Sequence, residues 1–323
     1  MFKWFGWCLF FLLLISLAMV SCDPITPPVV VEEPVLEEVD EGTYYFLAAN
    51  NSDPFYVPGV KGWNDAGEMF GVKTEFVGPM DLNVNEQLKT FEELVVNPKT
   101  RGIFWYPSDF AVGETIIKDA IQKDIPVVIG ALDSPYKSRK AFVGYNNVVL
   151  GTQAGAWAAE LIDCKGSVGI IHIQSGPNLT ERADGFESYI ESVCPDVKIV
   201  ERATHDGSAT SEAATLEAYL IANPDLTLLW WADGAAGIQA QIWKEKQEAG
   251  VETLFLATDM PEATLQAVKD GVFVGSVGQD TYTEEFWGLM LLYYANQGYR
   301  VPDTLFLSAI MVDQDNVDQY LAE

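Results

Sequence analysis

Short apolar runs and longer amphipathic stretches alternate along the chain from Thr43 onward. The apolar runs predict β-strands at 44–49, 72–77, 101–106, 126–132, 140–144, 167–173, 197–203, 226–231, 253–257, 272–277 and 305–311. The amphipathic stretches predict helices at 55–71, 84–96, 111–123, 149–163, 181–193, 210–221, 235–249, 261–270 and 283–297. Strands and helices that alternate at this spacing form parallel sheets with helices on both faces.

The series of strands and helices restarts near residue 146, and the 323 residues suffice for two domains of about 100–200 residues each. The predicted fold class is therefore α/β, with two Rossmann-like doubly wound parallel-sheet lobes in tandem. Ligands of such sheets lie outside the carboxyl ends of the strands. Two of these edges that face each other would form a cleft.

The N-terminus is predicted to be a targeting segment. In residues 1–21, Lys3 precedes an apolar run at 5–20, which is shorter than the roughly 20 residues of a membrane-spanning helix and typical of a signal peptide. Ser21 and Cys22 indicate lipoprotein cleavage with lipid on Cys22, although Met19-Val20 replaces the usual residues of that motif. Simple secretion and an uncleaved anchor are the alternatives.

Residues 22–42 are rich in proline and in acidic side chains, which predicts an extended tether between the lipidated cysteine and the folded body. A short edge strand at 29–31 is the alternative within this segment.

Composition excludes several classes of function. The chain has 19 Lys and Arg against 47 Asp and Glu, a formal net charge of −28, so its surface would repel nucleic acid. Its two histidines leave little for histidine-based catalysis, and we expect neither a metal nor a cofactor. The first strand is not followed by a glycine-rich phosphate loop, so nucleotide binding is not expected. Neither an activated nucleophile nor a paired acid and base is visible, so an enzyme is not expected.

Cys164 and Cys194 each follow a predicted helix and belong to an exported, oxidising context if the signal peptide is correct. A disulfide between them and two separate buried thiols are both compatible with the sequence.

Polar and aromatic residues collect where the predicted strands end. Carboxylates, amides, one arginine and flat rings form a suitable set for a polyhydroxylated ligand, because the polar groups bond to hydroxyls and the rings cover C–H surface. The candidate ligand-binding residues are Asp53, Phe55, Tyr56, Trp105, Asp133, Arg182, Trp231, Asp233, Asp259 and Gln279.

Each candidate also has a structural interpretation. Asp53, Asp233 and Asp259 stand where helix caps are common, and Arg182 could pair with an acidic neighbour on its own helix. The tryptophans could be core residues, and strand alternation argues against both members of an adjacent pair facing the cleft.

Seven segments occur in an order that resembles one known family: NSDPFY (51–56), IPVV (125–128), VGYNNVVLG (143–151), GPNLTERADGF (176–186), WADGAAG (231–237), ATDMPEATLQAVKDG (257–271) and GSVGQD (275–280). That family is the type I periplasmic sugar-binding proteins of ABC transporters, the ribose/galactose-binding group, and the resemblance covers residues 43 to about 312.

The resemblance implies that Phe55 and Tyr56 sandwich a sugar ring beside Asp53. It implies that Arg182, Asp259 and Gln279 bind hydroxyls from the other lobe, with Asp133 a further candidate. Asp53 and Ala232 depart from the residues usual in the family, which puts pentose specificity in doubt.

The resemblance further implies lobes at 43–145 plus 280–307 and at 146–279 plus 308–323, joined by three crossovers that act as a hinge. The expected function is capture of a monosaccharide by hinge closure and its delivery to an ABC permease and ATPase. The protein would be monomeric and extracytoplasmic, held to the membrane through its lipid. The alternative is a sensor for a non-sugar solute such as a furanone, polyol or nucleoside.

Overall fold

The computed structural model describes residues 42–174 and 176–321. The predicted signal peptide, the lipidation at Cys22 and nearly all of the tether therefore lie outside the described residues. Within these ranges no helix combines the length and apolar character needed to cross a membrane.

The strands are numbered along the described part of the chain. They are β1 Thr43–Leu47, β2 Lys73–Val77, β3 Thr100–Trp105, β4 Val127–Ile129, β5 Ala141–Gly144, β6 Ser167–Ile173, β7 Lys198–Ile199, β8 Ala203–His205, β9 Leu228–Trp231, β10 Leu254–Thr258, β11 Gly275–Gly278, β12 Thr304–Phe306 and β13 Ile310–Val312.

The helices follow the same numbering. They are α1 Val57–Phe70, α2 Val84–Val96, α3 Phe110–Gln122, α4 Asn147–Leu161, α5 Pro177–Val193, α6 Ala209–Ala222, α7 Ala240–Glu248, α8 Glu262–Lys269, α9 Thr281–Asn296 and α10 Asp318–Leu321, with 3-10 turns at Pro54–Tyr56 and Gly234–Gln239.

The strands form two sheets, one for each lobe. The first sheet has the order β12-β5-β4-β3-β1-β2, and the second has the order β13-β11-β10-β9-β6-β7, with β8 also paired to β6. The strand pairs are parallel except for β13, which runs antiparallel to β11. The predicted α/β class with two doubly wound parallel sheets is confirmed.

The chain passes between the two sheets three times. It leaves the first sheet after β5, returns after β11, and leaves again between β12 and β13. The backbone N–H of Asp280, in the second crossing, donates to the Tyr145 hydroxyl of the first crossing over 2.6 Å. Two of the three connections are thus tied together. The predicted lobe boundaries fall within these three connections, and their exact positions remain a prediction.

Each sheet buries both faces because successive strand side chains point to opposite sides. In β1, Tyr45 and Leu47 pack with α2 and α3, whereas Tyr44 and Phe46 pack on the side of α1 and α9. The second lobe repeats this arrangement: Trp230 lies in the core with α4 and α5, and the core with α6, α7 and α8 holds the next residue, Trp231.

Two predicted strands are each divided in the structure. The strand predicted at 197–203 corresponds to β7 and, at its last residue, to the start of β8, which pair with different parts of β6. The strand predicted at 305–311 is split between β12 in the first sheet and β13 in the second. Apolar periodicity reports burial and does not report which sheet supplies the partner strand.

Helices α4 and α5 pack at very close range. A Cβ atom on Gly151 would lie 1.8 Å from the carbonyl oxygen of Arg182, and one on Gly185 would lie 2.2 Å from that of Val148. The far ends of the same two helices are joined by a disulfide between Cys164 and Cys194, whose Cα atoms are 5.1 Å apart. The sequence was compatible with a disulfide or with two separate thiols, and the structure contains the disulfide.

Candidate functional site

A cavity of about 310 Å³ lies between the lobes, next to the crossings. Phe55 reaches it from the 3-10 turn after β1, Asp259 from the end of β10, and Gln279 from the end of β11. Its remaining wall includes Lys61, whose Nζ lies 3.0 Å from the Asp65 carboxylate. Strand ends of both sheets therefore meet at this cavity, as expected for open α/β sheets.

Arg182 is buried beside this cavity and is held on three sides. From α5, its Nε donates to Asn147 Oδ1 over 3.0 Å, its Nη1 to the carbonyl oxygen of Ala232 over 3.4 Å, and its Nη2 to Gln279 Oε1. Burial lowers the pKa of the guanidinium, and the charges of Asp259, Asp233 and Glu284 oppose that shift. The structure does not show the alternative in which Arg182 pairs with an acidic residue on its own helix.

Asp259 combines an unusual backbone with an unusual carboxyl group. Its φ is 65°, in the left-handed region, and its N–H donates to the Val277 carbonyl oxygen over 3.0 Å. Its side chain is buried, and Oδ1 has no hydrogen-bond partner. Burial raises the pKa of Asp259 to about 6; Arg182 acts in the opposite direction, while Asp233 and Asp53 add to the rise. This carboxyl group is available to a ligand.

Of the two aromatic residues predicted to hold a sugar ring, only Phe55 lines the cavity, whose other aromatic lining residues are Tyr282 and Tyr320. Phe55 is partly exposed and lines the cavity, whereas Tyr56 is buried in the first lobe and packs edge-on against Phe46 and Tyr106. The expected sandwich of a ring between Phe55 and Tyr56 is not formed in this structure, because the short 3-10 turn directs Tyr56 into the core.

Asp53 is exposed at the start of the same turn, where its Oδ1 accepts from the N–H of Phe55 over 2.9 Å. Asp53 therefore caps the turn, as its structural interpretation predicted. Its negative charge also contributes to the raised pKa of Asp259 at the cavity.

Trp105 and Trp231 do not reach the cavity. Both are fully buried: Trp105 packs against Phe91 and Phe110, and Trp231 packs against Phe255. The inclusion of these two residues among the ligand contacts was wrong, because each occupies a core position of its strand.

Asp133 is engaged elsewhere. Both of its oxygens accept from Arg139, at 2.6 and 2.8 Å, and Arg139 also donates to Asp303 over 3.0 Å. The buried guanidinium thus joins the loop after β4 to the segment before β12, so Asp133 stabilises the first lobe in this structure.

Asp233 is also fully used by the protein itself. Its oxygens accept from Ile173 N–H, His205 Nε2, Trp231 Nε1 and Ala235 N–H at 2.8 to 3.1 Å. Burial alone would raise the pKa of Asp233, but the His205 hydrogen bond keeps it below its ordinary value. The carboxylate fastens the end of β9 to β6 and β8, behind the cavity.

Sequence reasoning missed two buried acids on α9. Glu284 and Glu285 are fully buried, and Glu284 Oε1 accepts from the Ala131 N–H over 2.8 Å. The Tyr106 hydroxyl lies beside both carboxyl groups, and Glu284 Oε2 and both Glu285 oxygens have no other partner. Burial raises the pKa of both groups. Two adjacent acids on an otherwise apolar helix were the available signal. Asn147, the partner of Arg182, was missed as well.

A search for groups of three or more histidine, cysteine, aspartate or glutamate side chains able to hold a metal ion finds none within the described ranges.

The sequence pattern of the periplasmic binding protein domain matches residues 44–299. The chain belongs to this family. The family identified from the sequence is confirmed, and the two lobes with three crossings are its type I fold. No curated protein sequence matches the chain.

Solved structures of solute-binding and sugar-binding proteins share the fold. A solute binding protein of an ABC transporter from Burkholderia graminis, in complex with D-arabinose, is 25% identical with a TM-score of 0.81 and covers 88% of this chain and 99% of that one. A sugar-binding protein of a sugar ABC transporter from Bacillus halodurans is 23% identical, with a TM-score of 0.80 and coverage of 86% and 99%. An arabinose binding protein from Geobacillus stearothermophilus is 23% identical, with a TM-score of 0.79 and coverage of 87% and 99%.

Proposed function

We propose that this periplasmic binding protein captures a monosaccharide outside the cytoplasm and delivers it to an ABC permease with its ATPase. The observation that carries the proposal is the cavity between the lobes. There Asp259 and Gln279 of the second lobe face Phe55 of the first, with buried Arg182 bonded to Gln279. Carboxyl, amide and guanidinium groups together bind adjacent hydroxyls, and a ring covers the C–H face of a sugar.

The similar solved structures support the ligand class, because the relatives named above are a sugar-binding protein, an arabinose binding protein and a complex with D-arabinose. The cavity volume of about 310 Å³ lies at the lower end of the range for small-molecule sites. We infer that the protein is a binding protein and not an enzyme, in keeping with its family.

Capture proceeds by rotation of the two lobes about the three crossings. The hydrogen bond between Asp280 and Tyr145 ties two of these three crossings together, so we expect those two to move together. We further propose that Cys22 carries a lipid anchor, that residues 22–42 form a tether, and that the protein acts as a monomer.

The proposal is tested by thermal shift of the full chain, held in a polyoxyethylene detergent that contains no sugar. The ligands are pentoses, hexoses, deoxysugars, amino sugars, polyols, nucleosides and amino acids. A ligand at 100 times its Kd stabilises a protein by about 2.7 kcal/mol, which is readily detected. We expect a rise in melting temperature with one monosaccharide or a small group of them.

The variant Gln279→Ala removes an amide that lines the cavity, and Gln314→Ala is the matched control on the surface of the second lobe. We expect the first variant to lose the ligand-induced rise and the second to keep it. A response only to nucleosides or other non-sugar solutes would contradict sugar capture and favour a sensor.

A further inference from the structure

The ligand region of the proposed sugar site contains more negative than positive charge. Its buried acids are Asp259, Glu284 and Glu285, and its buried cation is Arg182. The Arg182 hydrogen bonds go to the neutral acceptors Asn147, Ala232 and Gln279. Asp233 is engaged separately, because its oxygens bond to Ile173, His205, Trp231 and Ala235. The guanidinium therefore bonds to none of the three carboxyl groups, and the charges of Asp259 and Glu284 act on it across the site.

Several oxygens of these carboxyl groups lack a well-aligned partner inside the protein, although Glu284 Oε1 accepts from the Ala131 N–H and the Tyr106 hydroxyl lies beside Glu284 and Glu285. Within residues 42–174 and 176–321, the structure shows no ion pair for Asp259, Glu284 or Glu285. Asp259 Oδ1, Glu284 Oε2 and both Glu285 oxygens also accept no well-aligned hydrogen bond. A buried carboxylate without a donor is strongly destabilised, so each such oxygen needs either a proton or an external partner.

Glu284 lies where a ligand of this fold is expected. It comes from the first turn of α9, directly after the second crossing, and its Oε1 is bonded to Ala131 at the end of β4. A Cβ on Gly144, at the end of β5, would lie 3.4 Å from the same oxygen. Its charge acts on Arg182 of the opposite lobe. The carboxyl group is therefore placed at the carboxyl ends of the first sheet, toward the second lobe.

A neutral sugar offers hydroxyl donors but no positive charge to stabilise the ionised form of these carboxyl groups. A protonated amino group offers three N–H donors and a positive charge, and therefore meets both requirements of the unpartnered carboxyl oxygens. The formal net charge of −28 adds a long-range attraction for a cationic ligand.

We propose that Glu284, together with Asp259, selects a monosaccharide that carries a protonated amino group over its neutral counterpart. This selection rests on the proposed sugar-binding function and assigns its ligand class. Glu284 is then a specificity-determining residue whose free Oε2 accepts from the ligand's ammonium group.

The test is calorimetric titration of the full chain at pH 7 in the sugar-free detergent. Glucosamine, galactosamine and mannosamine are each compared with the neutral parent hexose and with the N-acetylated sugar, which is uncharged. We expect at least one amino sugar to bind at least tenfold more tightly than both of its uncharged counterparts. This comparison requires no variant.

The variant Glu284→Gln then identifies the residue responsible, because the amide keeps an acceptor for the Ala131 N–H and loses the charge. We expect it to reduce the preference for the amino sugar at least tenfold. Glu262→Gln is the matched control: this carboxyl group is exposed in the first turn of α8, and its loss changes the net charge equally.

The outcomes separate the two proposals. Neutral hexoses that bind as tightly as amino sugars, or an unchanged preference in Glu284→Gln, would overturn the selection and leave sugar capture standing. A chain that binds no monosaccharide of either kind would overturn both.

Discussion

At Asp259, two unfavourable features coincide on one residue. A left-handed backbone in a residue other than glycine costs on the order of 1–3 kcal/mol, and the buried Oδ1 lacks a donor. Strain of this kind persists where the surrounding structure enforces it, and here the Asp259 N–H and carbonyl group are bonded to Val277 and Ser276. The backbone of the residue is thus held in place while one of its carboxyl oxygens has no hydrogen-bond partner.

We predict that Asp259→Asn stabilises the empty protein at pH 7.5 and weakens sugar binding at least tenfold. Asparagine tolerates the left-handed backbone, so the change removes the charge with little other effect. Folding raises the pKa of Asp259 from 3.8 to about 6, so its contribution to stability is present below about pH 4 and lost as the pH rises through 6. Urea unfolding should show a gain on the order of 2 kcal/mol at pH 7.5.

The same measurement at pH 4 is the control for this prediction, because most of the Asp259 side chains are then protonated in the folded protein. The gain should disappear there. An equal gain at both pH values would show that the carboxyl charge is not its cause.

Residue types alone identified the polar part of the site better than the aromatic part. Arg182, Asp259 and Gln279 come together at the cavity, whereas Tyr56, Trp105 and Trp231 lie in the core. An aromatic side chain suits a sugar face and a core position equally, and only the packing decides between them. Glu284 and Glu285 were missed because a charged residue on a helix usually faces water.

At the scale of elements, the pair α4 and α5 determines where the site's arginine lies. Asn147 begins α4, Arg182 lies in the first half of α5, and the glycines between them allow backbone contact. The Cys164–Cys194 disulfide fixes the opposite ends of the two helices.

We predict that Gly151→Ala lowers both stability and affinity. The added methyl group would overlap the Arg182 carbonyl oxygen, so the helices must separate and the guanidinium must shift. Overpacking of this kind costs about 1–3 kcal/mol. Thermal unfolding and sugar titration should both show the loss. Val149→Ala, on the exposed side of α4, is the matched control and should retain affinity.

The alternation of strands and helices predicted most elements, because each sheet is buried on both faces and its strands are continuous apolar runs. It could not predict that the run at 305–311 crosses from one sheet to the other. The residues of β12 and β13 are similarly apolar, and the change of partner depends on where the two lobes meet.

At the scale of the whole molecule, the proposed capture of a sugar depends on how the three crossings let the lobes move. We predict that Tyr145→Phe weakens sugar binding roughly tenfold, since the N–H of Asp280 loses its acceptor at a cost of about 1–3 kcal/mol. Titration gives the affinity, and the change in radius of gyration on adding sugar, from small-angle X-ray scattering, gives the closure.

Tyr294→Phe is the matched control for the hinge variant, because this tyrosine lies on the exposed part of α9. Unchanged affinity and closure in Tyr145→Phe would show that the bond between the crossings does not contribute to the motion.

The interleaving of the two lobes also sets the order in which the polypeptide can fold during synthesis. The first sheet needs β12 and its core needs α9, so the 159 residues between Gly144 and Thr304 must be made before the first lobe is complete. At about 5–20 residues per second, a ribosome needs roughly 10–30 s for that interval. The growing chain therefore remains incompletely folded, and open to chaperones, until nearly all of it has been translated.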